Sequence, residues 1–429
     1  MMNPKEEGIV RFLLPPMAIL IICALSADIN CAAQAAVEDK VPLQERVWIA
    51  CQVYSLTNTY FGHWRGVPEL DLDKEFQAYL NTVLATEDRY SFDLASLEFL
   101  AKLKNGHTGF RDNWLIDHYG QGLGFYAYPI DGSWVITSSS TPDLRIGEVI
   151  TRIDGQDFEG FFQARRKYVS ASNDRSAHRF FFEYPFLFPS SFSLELADNR
   201  KVSITRRGQP QPEHYEVSAT QNGGELYIKI PSFAEPRLED AAVHAVERGA
   251  RAKAIIIDLR GNHGGSTPSS LLGKLMNKPF RWWAESTPIN IGLFRYEGAL
   301  GEHSDIFSYS GFTEPETHAY QGGLYILVDG GCFSACEDFL IPFKDNHRAT
   351  IVGEPTGGST GQPFTKQFGN GMLISVSMRR VFLPNGSDFE GVGIVPDVEV
   401  FSSVADVRSV ADPVLEKVKA LIKGADPKQ

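Results

Sequence analysis

Cysteine is scarce in this chain: five cysteines occur in 429 residues. Two of them lie within the first 35 residues, which leaves Cys51, Cys332 and Cys336 for the rest of the chain. Three cysteines cannot form the paired framework on which small disulfide-rich domains depend. Cys332 and Cys336 allow either a bridge across one turn or two small buried thiols, and both alternatives stay open.

Positive charge is also in short supply. Lys and Arg number 41 against 53 Asp and Glu, so the formal net charge is -12 at pH 7. Nucleic acid binding depends on basic surfaces and is therefore not expected. The sequence has no His-Glu-x-x-His motif and no paired cysteine and histidine spacing, which argues against a zinc site. We expect no metal, no cofactor and no nucleic-acid partner.

A long apolar run is missing from the N-terminal region. Residues 12–25 are apolar, but this stretch is shorter than a typical membrane-spanning helix. Basic residues precede it and small residues follow it, which is the order of a secretory signal peptide. We expect residues 1–35 to be a signal peptide, cleaved after Ala35 or alternatively after Ala27, and the mature protein to be periplasmic or extracellular.

The full chain is 43% hydrophobic and 22% charged, as in a globular protein with two or three domains. Residues 36–110 place apolar side chains at three- and four-residue intervals, which predicts a helical N-terminal subdomain. Short strand-like segments dominate residues 119–208. Residues 222–402 alternate strand-like and helix-like segments, which indicates a parallel sheet covered by helices. The tail, residues 403–429, is predicted to contain one helix, from Asp406 to Lys423.

The serine at position 334 lies where a strand is predicted to meet a helix. The apolar run 324–328 precedes Ser334, and a helix-like segment begins at Glu337. A serine at such a turn can expose its hydroxyl, and the N–H groups at the helix start face any negative charge that develops there. Ser334 is therefore either a nucleophile or the N-cap of the helix, and this segment alone leaves both alternatives open.

A second turn, from Asp258 to Gly265, leaves the predicted strand 254–258 and enters a helix near Pro268. Ligands of open α/β sheets bind at such strand ends. Glycines at the turn let backbone N–H groups approach an oxyanion closely. The turn lacks the spacing and the Gly-Lys-Ser/Thr ending of a P-loop, so nucleotide binding is not expected.

Together with the segment 353–358, these two turns resemble the S41 peptidases, which include the C-terminal processing peptidases and the tricorn protease core. The resemblance implies an α/β (α+β) fold: a crotonase-like αββ core with an inserted PDZ-like β domain. It implies that Ser334 is the nucleophile. It also implies an oxyanion hole formed by the N–H groups of Ala335 and Gly264, with Gly265 as the alternative to Gly264.

The general base follows from the branch of the family that the chain resembles. Processing peptidases use a lysine, and the corresponding residue here is Ser359. The tricorn-like branch uses a histidine with a carboxylate; residues 103–108 resemble its histidine motif and residues 389–397 its carboxylate motif. The resemblance implies His107 as the base and Glu390 as the supporting carboxylate. An unperturbed imidazole, with a pKa of about 6.5, suits this task.

One position departs from that branch. The tricorn enzyme has a serine just before its histidine, where this chain has Gly106. A fourth hydrogen-bonding member of the site is therefore left open, with Thr108 and Ser359 as the candidate substitutes. Glu390 also has an alternative interpretation, as a solvated acid of a loop.

Residues 119–208 resemble a PDZ domain. Residues 144–155 match the core motif of that family, and its carboxylate-binding loop is matched by four residues, Gly122, Leu123, Gly124 and Phe125. In such domains the loop N–H groups receive the terminal carboxylate of a peptide while a strand pairs with the peptide backbone. We expect these four residues to bind the C-terminus of a substrate, and the aromatic insert 161–191 could cover the groove.

The sequence therefore predicts an exported serine endopeptidase that acts on peptide or protein substrates through an acyl-enzyme on Ser334. Two alternatives stay open. One is a non-catalytic protein that binds an apolar ligand or a peptide on the same fold. The other is a serine hydrolase that acts on a non-peptide ester or amide through the same residues.

Overall fold

The structure is a computed structural model that describes residues 39–207 and 215–424. The predicted signal peptide lies outside the described residues. Within the described ranges no helix combines the length and the apolar character that a membrane crossing needs. The α-helices are α1 (Leu43–Tyr60), α2 (Leu72–Ala85), α3 (Arg89–Ala101), α4 (Asn113–Tyr119), α5 (Phe158–Arg165), α6 (Asp174–Phe181), α7 (Pro236–Arg248), α8 (Ser269–Leu275), α9 (Gly292–Tyr296), α10 (Ala335–Asn346), α11 (Val404–Ser409) and α12 (Pro413–Gly424).

The strands occur singly or in runs between these helices. They are β1 (Gly109–Asp112), β2 (Phe125–Ile130), β3 (Ser133–Ser139), β4 (Val149–Ile153), β5 (Gln156–Asp157), β6 (Ser191–Leu196), β7 (Lys201–Thr205), β8 (Ser218–Asn222), β9 (Glu225–Lys229), β10 (Ala254–Asp258), β11 (Ala284–Pro288), β12 (Asp305–Tyr309), β13 (Gly323–Val328), β14 (Thr350–Gly353), β15 (Pro363–Gln367), β16 (Met372–Ser377), β17 (Arg380–Phe382) and β18 (Val398–Glu399). Short 3-10 helices span Trp64–Gly66, Arg166–Tyr168 and Pro185–Leu187.

The main core surrounds a sheet in the order β8-β9-β10-β13-β14-β18. Strands β9 to β18 of this sheet run parallel, and β8 pairs antiparallel with β9. Every residue of β10 is buried, because a central parallel strand is covered on both faces. Apolar residues of α7, α8 and α10 cover one face, and those of α12 cover the other. The predicted α/β class is confirmed.

The tail differs from its prediction. The single helix expected from Asp406 to Lys423 is interrupted, and two helices, α11 and α12, are present instead. Val410 ends α11 with a left-handed φ of 56°, and Pro413 begins α12. Proline suits the first position of a helix because its missing N–H would have no partner there. The apolar pattern continues across the break, but Pro413 marks the break in the sequence.

The N-terminal helices carry the chain to the predicted base. The side chains of Asp71 and Asp88 each accept a backbone N–H in the first turn of α2 and α3. After α3 the chain turns through Asn105 and His107 into β1. This strand pairs antiparallel with β16 in a three-stranded sheet, β1-β16-β15. His107 is thereby fixed next to a strand from the C-terminal half of the chain.

The segment that resembles a PDZ domain forms a separate sheet, in the order β2-β3-β4-β6-β7, with β5 paired to β4. The aromatic insert packs against it. Phe182 is buried, and its ring centroid lies 5.7 Å from that of Phe125 and 6.2 Å from that of Tyr126, both in β2. Its ring also lies 6.4 Å from that of Phe158, at the start of α5. The insert therefore contacts both the edge strand β2 and helix α5.

A buried acidic group lies within the helical region. Arg89 donates to the carboxylate of Asp112 at 2.6 and 2.8 Å, and both side chains are buried. Asp93, one turn further along α3, is buried too, and among the described residues neither of its carboxylate oxygens has a hydrogen-bond partner. Burial, and then the charge of Asp112, raises the pKa of Asp93 well above its ordinary value.

We expect Asp93→Asn to stabilise the protein at alkaline pH. The folded protein keeps the Asp93 proton at pH values where the unfolded chain has released it, so stability falls as the pH rises above about 4. Each pH unit between the unfolded and the folded pKa of Asp93 costs about 1.4 kcal/mol. Denaturant unfolding at about pH 5 and about pH 8 measures the effect. The variant should lose less stability between the two than wild type does, whereas a control at the exposed Glu87, Glu87→Gln, should follow wild type. Equal losses in Asp93→Asn and wild type would contradict this prediction.

Candidate active site

Ser334 occupies the tight turn between β13 and α10. Its φ is 58° and its ψ is -126°, a backbone conformation that residues other than glycine rarely adopt. Helix α10 begins at the next residue, Ala335, and the Ser334 side chain makes no capping hydrogen bond. Ser334 therefore occupies the N-cap position of α10, but its side chain does not cap the helix. The partly exposed hydroxyl is directed to a different partner.

The turn that follows β10 lies against the turn of the serine. The N–H of Phe333 donates to the carbonyl of Asn262 at 3.1 Å. The carboxylate of Asp329 accepts the N–H groups of Gly261 and Gly331, each at 2.9 Å, so one side chain joins both turns. The parallel pairing of β10 with β13 brings the two strand ends together, as expected for a site at the carboxyl edge of such a sheet.

The predicted oxyanion donors lie where these turns meet. A Cβ added to Gly264 would lie 2.6 Å from the carbonyl oxygen of Phe333 and 2.8 Å from the nitrogen of Ala335, so the contact requires glycine. The N–H of Ala335 is the first of α10 and has no acceptor within the helix. The N–H of Gly264 donates to Oδ1 of Asn262 at 2.8 Å. The oxyanion role of Gly264, and that of the alternative Gly265, stays a prediction.

His107 lies beside the serine, where a general base is required. Its Nε2 is 2.9 Å from Oγ of Ser334, and its Nδ1 is 3.0 Å from Oγ of Ser359. The hydroxyl of Ser359 donates to Oε1 of Glu390 at 2.8 Å. Because Ser359 has a single hydroxyl hydrogen, the hydrogen between it and His107 belongs to Nδ1. The Nε2 lone pair is then available to the hydroxyl of Ser334.

The link between the base and the carboxylate adds one residue to the predicted set. The sequence predicts Glu390 as the support of His107, and the structure has Ser359 between them. The other candidate, Thr108, donates instead to Oδ1 of Asn105 at 2.9 Å. The position at which the processing peptidases have lysine therefore holds the bridging serine in this chain.

Glu390 is buried, with 9% of its surface exposed, so it is not the solvated loop acid of the alternative interpretation. Its Oε1 also accepts hydrogen bonds from Nδ2 of Asn105 at 2.8 Å and from Oγ of Ser172 at 2.6 Å. Asn105 accepts the N–H of His107 at 3.0 Å as well, and so joins the histidine loop to the carboxylate. Neither Asn105 nor Ser172 is among the predicted site residues. Asn105 occupies the third position of the histidine motif and could be found there, whereas no sequence signal distinguishes Ser172.

Phe333 fixes the plane of the imidazole. The rings of His107 and Phe333 stack with centroids 4.7 Å apart and an angle of 6° between them. A Cβ on Gly106 would lie 2.8 Å from Cζ of Phe333. A side chain at position 106 would therefore collide with this ring, which gives a physical reason for the glycine before the histidine. Phe180 of the insert packs edge-on against Phe333 at 5.2 Å.

The segment that carries Ser359 is held from two sides. Glu337 of α10 is buried and accepts the N–H of Gly358 at 2.8 Å and that of Ser359 at 3.0 Å. From α6, the hydroxyl of Ser176 donates to the carbonyl of Gly357 at 2.6 Å. Since Glu337 lies in the first turn of α10, the position of Ser359 is coupled to the turn that carries Ser334.

Burial shifts the pKa of both titratable groups beside the serine. Loss of hydration, and then the charge of Arg379, lowers the pKa of His107 to about 4. Burial raises the pKa of Glu390 to about 7, against the hydrogen bonds of Ser172 and Ser359, which lower it. At neutral pH His107 is therefore an unprotonated base. The unperturbed imidazole pKa expected from the sequence does not hold, because the ring is largely removed from water.

The four residues predicted to bind a peptide carboxylate lie at the start of β2. Leu123 and Phe125 are buried, and Phe125 contacts Phe182 of the insert. The carbonyls of Gly122 and Gly124 accept N–H groups of the protein's own backbone, at 3.1 and 2.9 Å. The peptide-binding role of this loop stays a prediction.

Two further features of the site concern cysteine and metals. Cys332 and Cys336, on either side of the serine, are buried free thiols, so the alternative of packed thiols holds in this structure. In the part of the chain that the structure describes, no group of three or more His, Cys, Asp or Glu side chains is arranged to hold a metal ion.

Known proteins match this chain in both sequence and fold. Carboxyl-terminal-processing peptidase 2, chloroplastic, of Arabidopsis thaliana is 30% identical over 222 residues, which are 49% of this chain and 40% of that protein. The carboxyl-terminal-processing protease of Synechocystis sp. is 28% identical over 204 residues, 46% of this chain and 44% of that protein. The chain thus spans less than half the length of these curated relatives.

Solved structures show the same fold at lower identity. The crystal structure of mature CPAF has a TM-score of 0.69 and 16% identity, and covers 90% of this chain and 98% of that chain. The photosystem II D1 C-terminal processing protease has a TM-score of 0.53 and 18% identity. The match covers 89% of this chain and 98% of that chain. The family model of peptidase family S41 matches residues 225–400, which include both turns, Ser334, Ser359 and Glu390. Over this region the chain matches peptidase family S41.

Proposed function

We propose that the protein is a serine endopeptidase in which Ser334 attacks the peptide carbonyl and His107 is the general base. The observation that carries this proposal is the 2.9 Å contact between Nε2 of His107 and Oγ of Ser334. It is supported by the chain of hydrogen bonds through Ser359 to Glu390. A serine hydroxyl is a weak nucleophile until a base takes its proton, and an unprotonated imidazole at this distance can do so.

The chemistry then follows in two halves. Oγ of Ser334 bonds to the carbonyl carbon while its proton moves to Nε2 of His107, and the carbonyl oxygen becomes an oxyanion. The C–N bond breaks, the leaving amine takes the proton from Nε2, and an acyl-enzyme ester remains. Water attacks this ester in the second half, its proton passes through Nε2 to Oγ of Ser334, and the carboxylic acid product leaves.

Glu390 acts on the imidazolium through Ser359. When Nε2 gains a proton, the imidazole becomes positively charged in a site where hydration is poor. The carboxylate of Glu390 stabilises this charge, and the intervening hydroxyl of Ser359 transmits the hydrogen bond and fixes the tautomer. The N–H of Ala335, at the positive end of α10, would stabilise the opposite charge on the oxyanion, with Gly264 as the second predicted donor.

Peptides or proteins are the proposed substrates. The support is the S41 family match and the names of the two relatives, which describe processing at a carboxyl terminus. Capture of a substrate C-terminus by residues 122–125 would require the ring of Phe182 to leave Phe125 and Tyr126. We therefore propose the catalytic turns as the main contact with substrate, and the PDZ-like loop as a site that depends on movement of the insert.

Export to the periplasm or to the outside of the cell is proposed from the sequence pattern of residues 1–35 alone. No stable membrane span is needed for this location. Export does not depend on how the described residues are arranged.

A fluorophosphonate probe should label Ser334. We expect Ser334→Ala to abolish labelling and His107→Ala to slow it by roughly 10²-fold or more, because the base is lost. Gel fluorescence and peptide mapping measure both effects. Ser218→Ala, on the exposed strand β8, is the matched control and should label as wild type does. Unchanged labelling of Ser334→Ala would refute the proposed nucleophile. Labelling without cleavage of any peptide in a broad library would favour the hydrolase of non-peptide esters or amides.

Ser359→Ala should lower kcat/KM by roughly 10²-fold with little change in KM, since it removes the link from His107 to Glu390 but no contact of the substrate. Steady-state kinetics on a cleaved peptide measure the split between kcat and KM. The same Ser218→Ala control should leave both constants unchanged. A variant Ser359→Ala with wild-type kcat would show that the carboxylate supports His107 by another route.

The rate of probe labelling should fall in two steps as the pH is lowered. Glu390 gains a proton near its pKa of about 7, which weakens the support of His107. His107 gains a proton only near its lowered pKa of about 4, which removes the base. Measurable labelling should therefore persist between these two values. Glu390→Gln should lose the upper step and keep the lower one. A single step near the ordinary imidazole pKa in wild type would contradict this assignment.

A further inference from the structure

A second histidine faces the carboxylate of the site from its far side. Nδ1 of His63 lies 3.8 Å from Oε2 of Glu390. His63 is buried, with 2% of its surface exposed. Among the described residues, neither of these two atoms has a hydrogen-bond partner, although each is shielded from water. The three hydrogen bonds that Glu390 accepts all go to its other oxygen, Oε1.

The position of His63 is set by the strand that also pairs with the segment after His107. His63 follows the end of α1, and the preceding N–H, of Gly62, donates to the carbonyl of Ser377 at 2.9 Å. A Cβ on Gly62 would lie 2.6 Å from the carbonyl oxygen of Met378, so the approach to β16 requires glycine. Nε2 of His63 lies 2.8 Å from the hydroxyl of Ser377. His63 is therefore held against β16, whose partner β1 follows His107.

Leaving two buried polar atoms unpaired is costly, at about 1–3 kcal/mol for each. One hydrogen on Nδ1 of His63 satisfies both, because Nδ1 then donates and Oε2 accepts after a closure of less than 1 Å from the present 3.8 Å. This tautomer leaves Nε2 as an acceptor for the hydroxyl of Ser377, in agreement with the 2.8 Å contact. A single proton assignment thus accounts for every nitrogen of the ring.

The charges around the pair favour a neutral His63. Burial first, then the charges of Arg380 and His107, lower the pKa of His63 well below its ordinary value. Arg380 also lowers the pKa of Glu390, and Glu390 in turn raises the pKa of Glu337 on α10. A neutral Nδ1–H can donate to the carboxylate while placing no second cation beside the imidazolium that forms on His107.

We propose that His63 is a positioning residue of the active site, whose Nδ1–H donates to Oε2 of Glu390 and keeps that carboxylate ionised and oriented toward Ser359. This inference rests on the proposed function, since Glu390 acts there through Ser359 on His107. His63 does not touch the substrate or the reacting atoms. It completes a line of hydrogen bonds that runs from Ser334 to Ser377 through His107, Ser359, Glu390 and His63 itself.

The test compares two variants of the full chain by their pH profiles of probe labelling. His63→Leu removes the donor, and we expect it to raise the pH of the upper step by about one unit and to slow labelling by up to about fivefold at neutral pH. At alkaline pH, where Glu390 is ionised in any case, labelling should stay within about twofold of wild type. His63→Asn places an amide N–H near the position of Nδ1 and should restore most of the loss.

A second measurement works on the wild-type protein and needs no activity. Long-range ¹H–¹⁵N correlation spectra of histidine-labelled protein distinguish the two neutral tautomers, and the signal that disappears in His63→Asn assigns His63. We expect a neutral ring with its hydrogen on Nδ1.

The outcomes separate this inference from the proposed function. An Nε2–H tautomer or a protonated ring at neutral pH would overturn the role of His63, even if His63→Leu failed to fold. Equal slowing of His63→Leu at every pH, no slowing, or a failure of His63→Asn to recover would overturn it too. Loss of the proposed function would instead show as wild-type protein that does not label, whatever the tautomer of His63.

Discussion

The site depends on the hydroxyl of Ser359, which accepts from His107 at 3.0 Å and donates to Glu390 at 2.8 Å. A hydroxyl has one hydrogen, so its donation to the carboxylate dictates which nitrogen of His107 carries a proton. The remaining nitrogen must then be the acceptor that faces Ser334. One small side chain therefore sets the tautomer of His107 and its link to a negative charge.

The rest of the fold keeps that hydroxyl in place. Glu337 accepts the backbone N–H of Ser359 and lies in the first turn of the helix that follows Ser334, so Ser359 and Ser334 share one support. Asn105 binds both Glu390 and the N–H of His107. The aromatic insert adds Ser172 to the carboxylate and packs Phe180 against Phe333. Segments that are far apart in sequence thus converge on one buried carboxylate. Their hydrogen bonds and packing offset the free-energy cost of burying it.

Much of this arrangement can be predicted from the sequence, and the reason for each failure is physical. The buried strands before Ser334 and Asp258 are local patterns, and they predict the α/β core and the edge at which the turns meet. His107 and Glu390 lie in the histidine and carboxylate motifs, which can be recognised in the sequence. Ser359 could be offered only as one of two candidates, because a hydroxyl has no pattern of its own. Asn105 lies in the histidine motif and could be found there. Ser172 and the partner of His63 depend on tertiary contacts across many residues, so no local pattern reports them. The pKa of His107 is a property of burial and escapes any prediction from residue type.

A crystal structure of the protein after reaction with a peptidyl fluorophosphonate tests the central claim most directly. The account predicts phosphorus bonded to Oγ of Ser334 and a phosphoryl oxygen about 2.7–3.1 Å from the N–H of Ala335. It also predicts that Oγ of Ser359 still lies within hydrogen-bond distance of both Nδ1 of His107 and Oε1 of Glu390. An adduct on another residue, or His107 bonded directly to Glu390 with Ser359 displaced, would contradict the account.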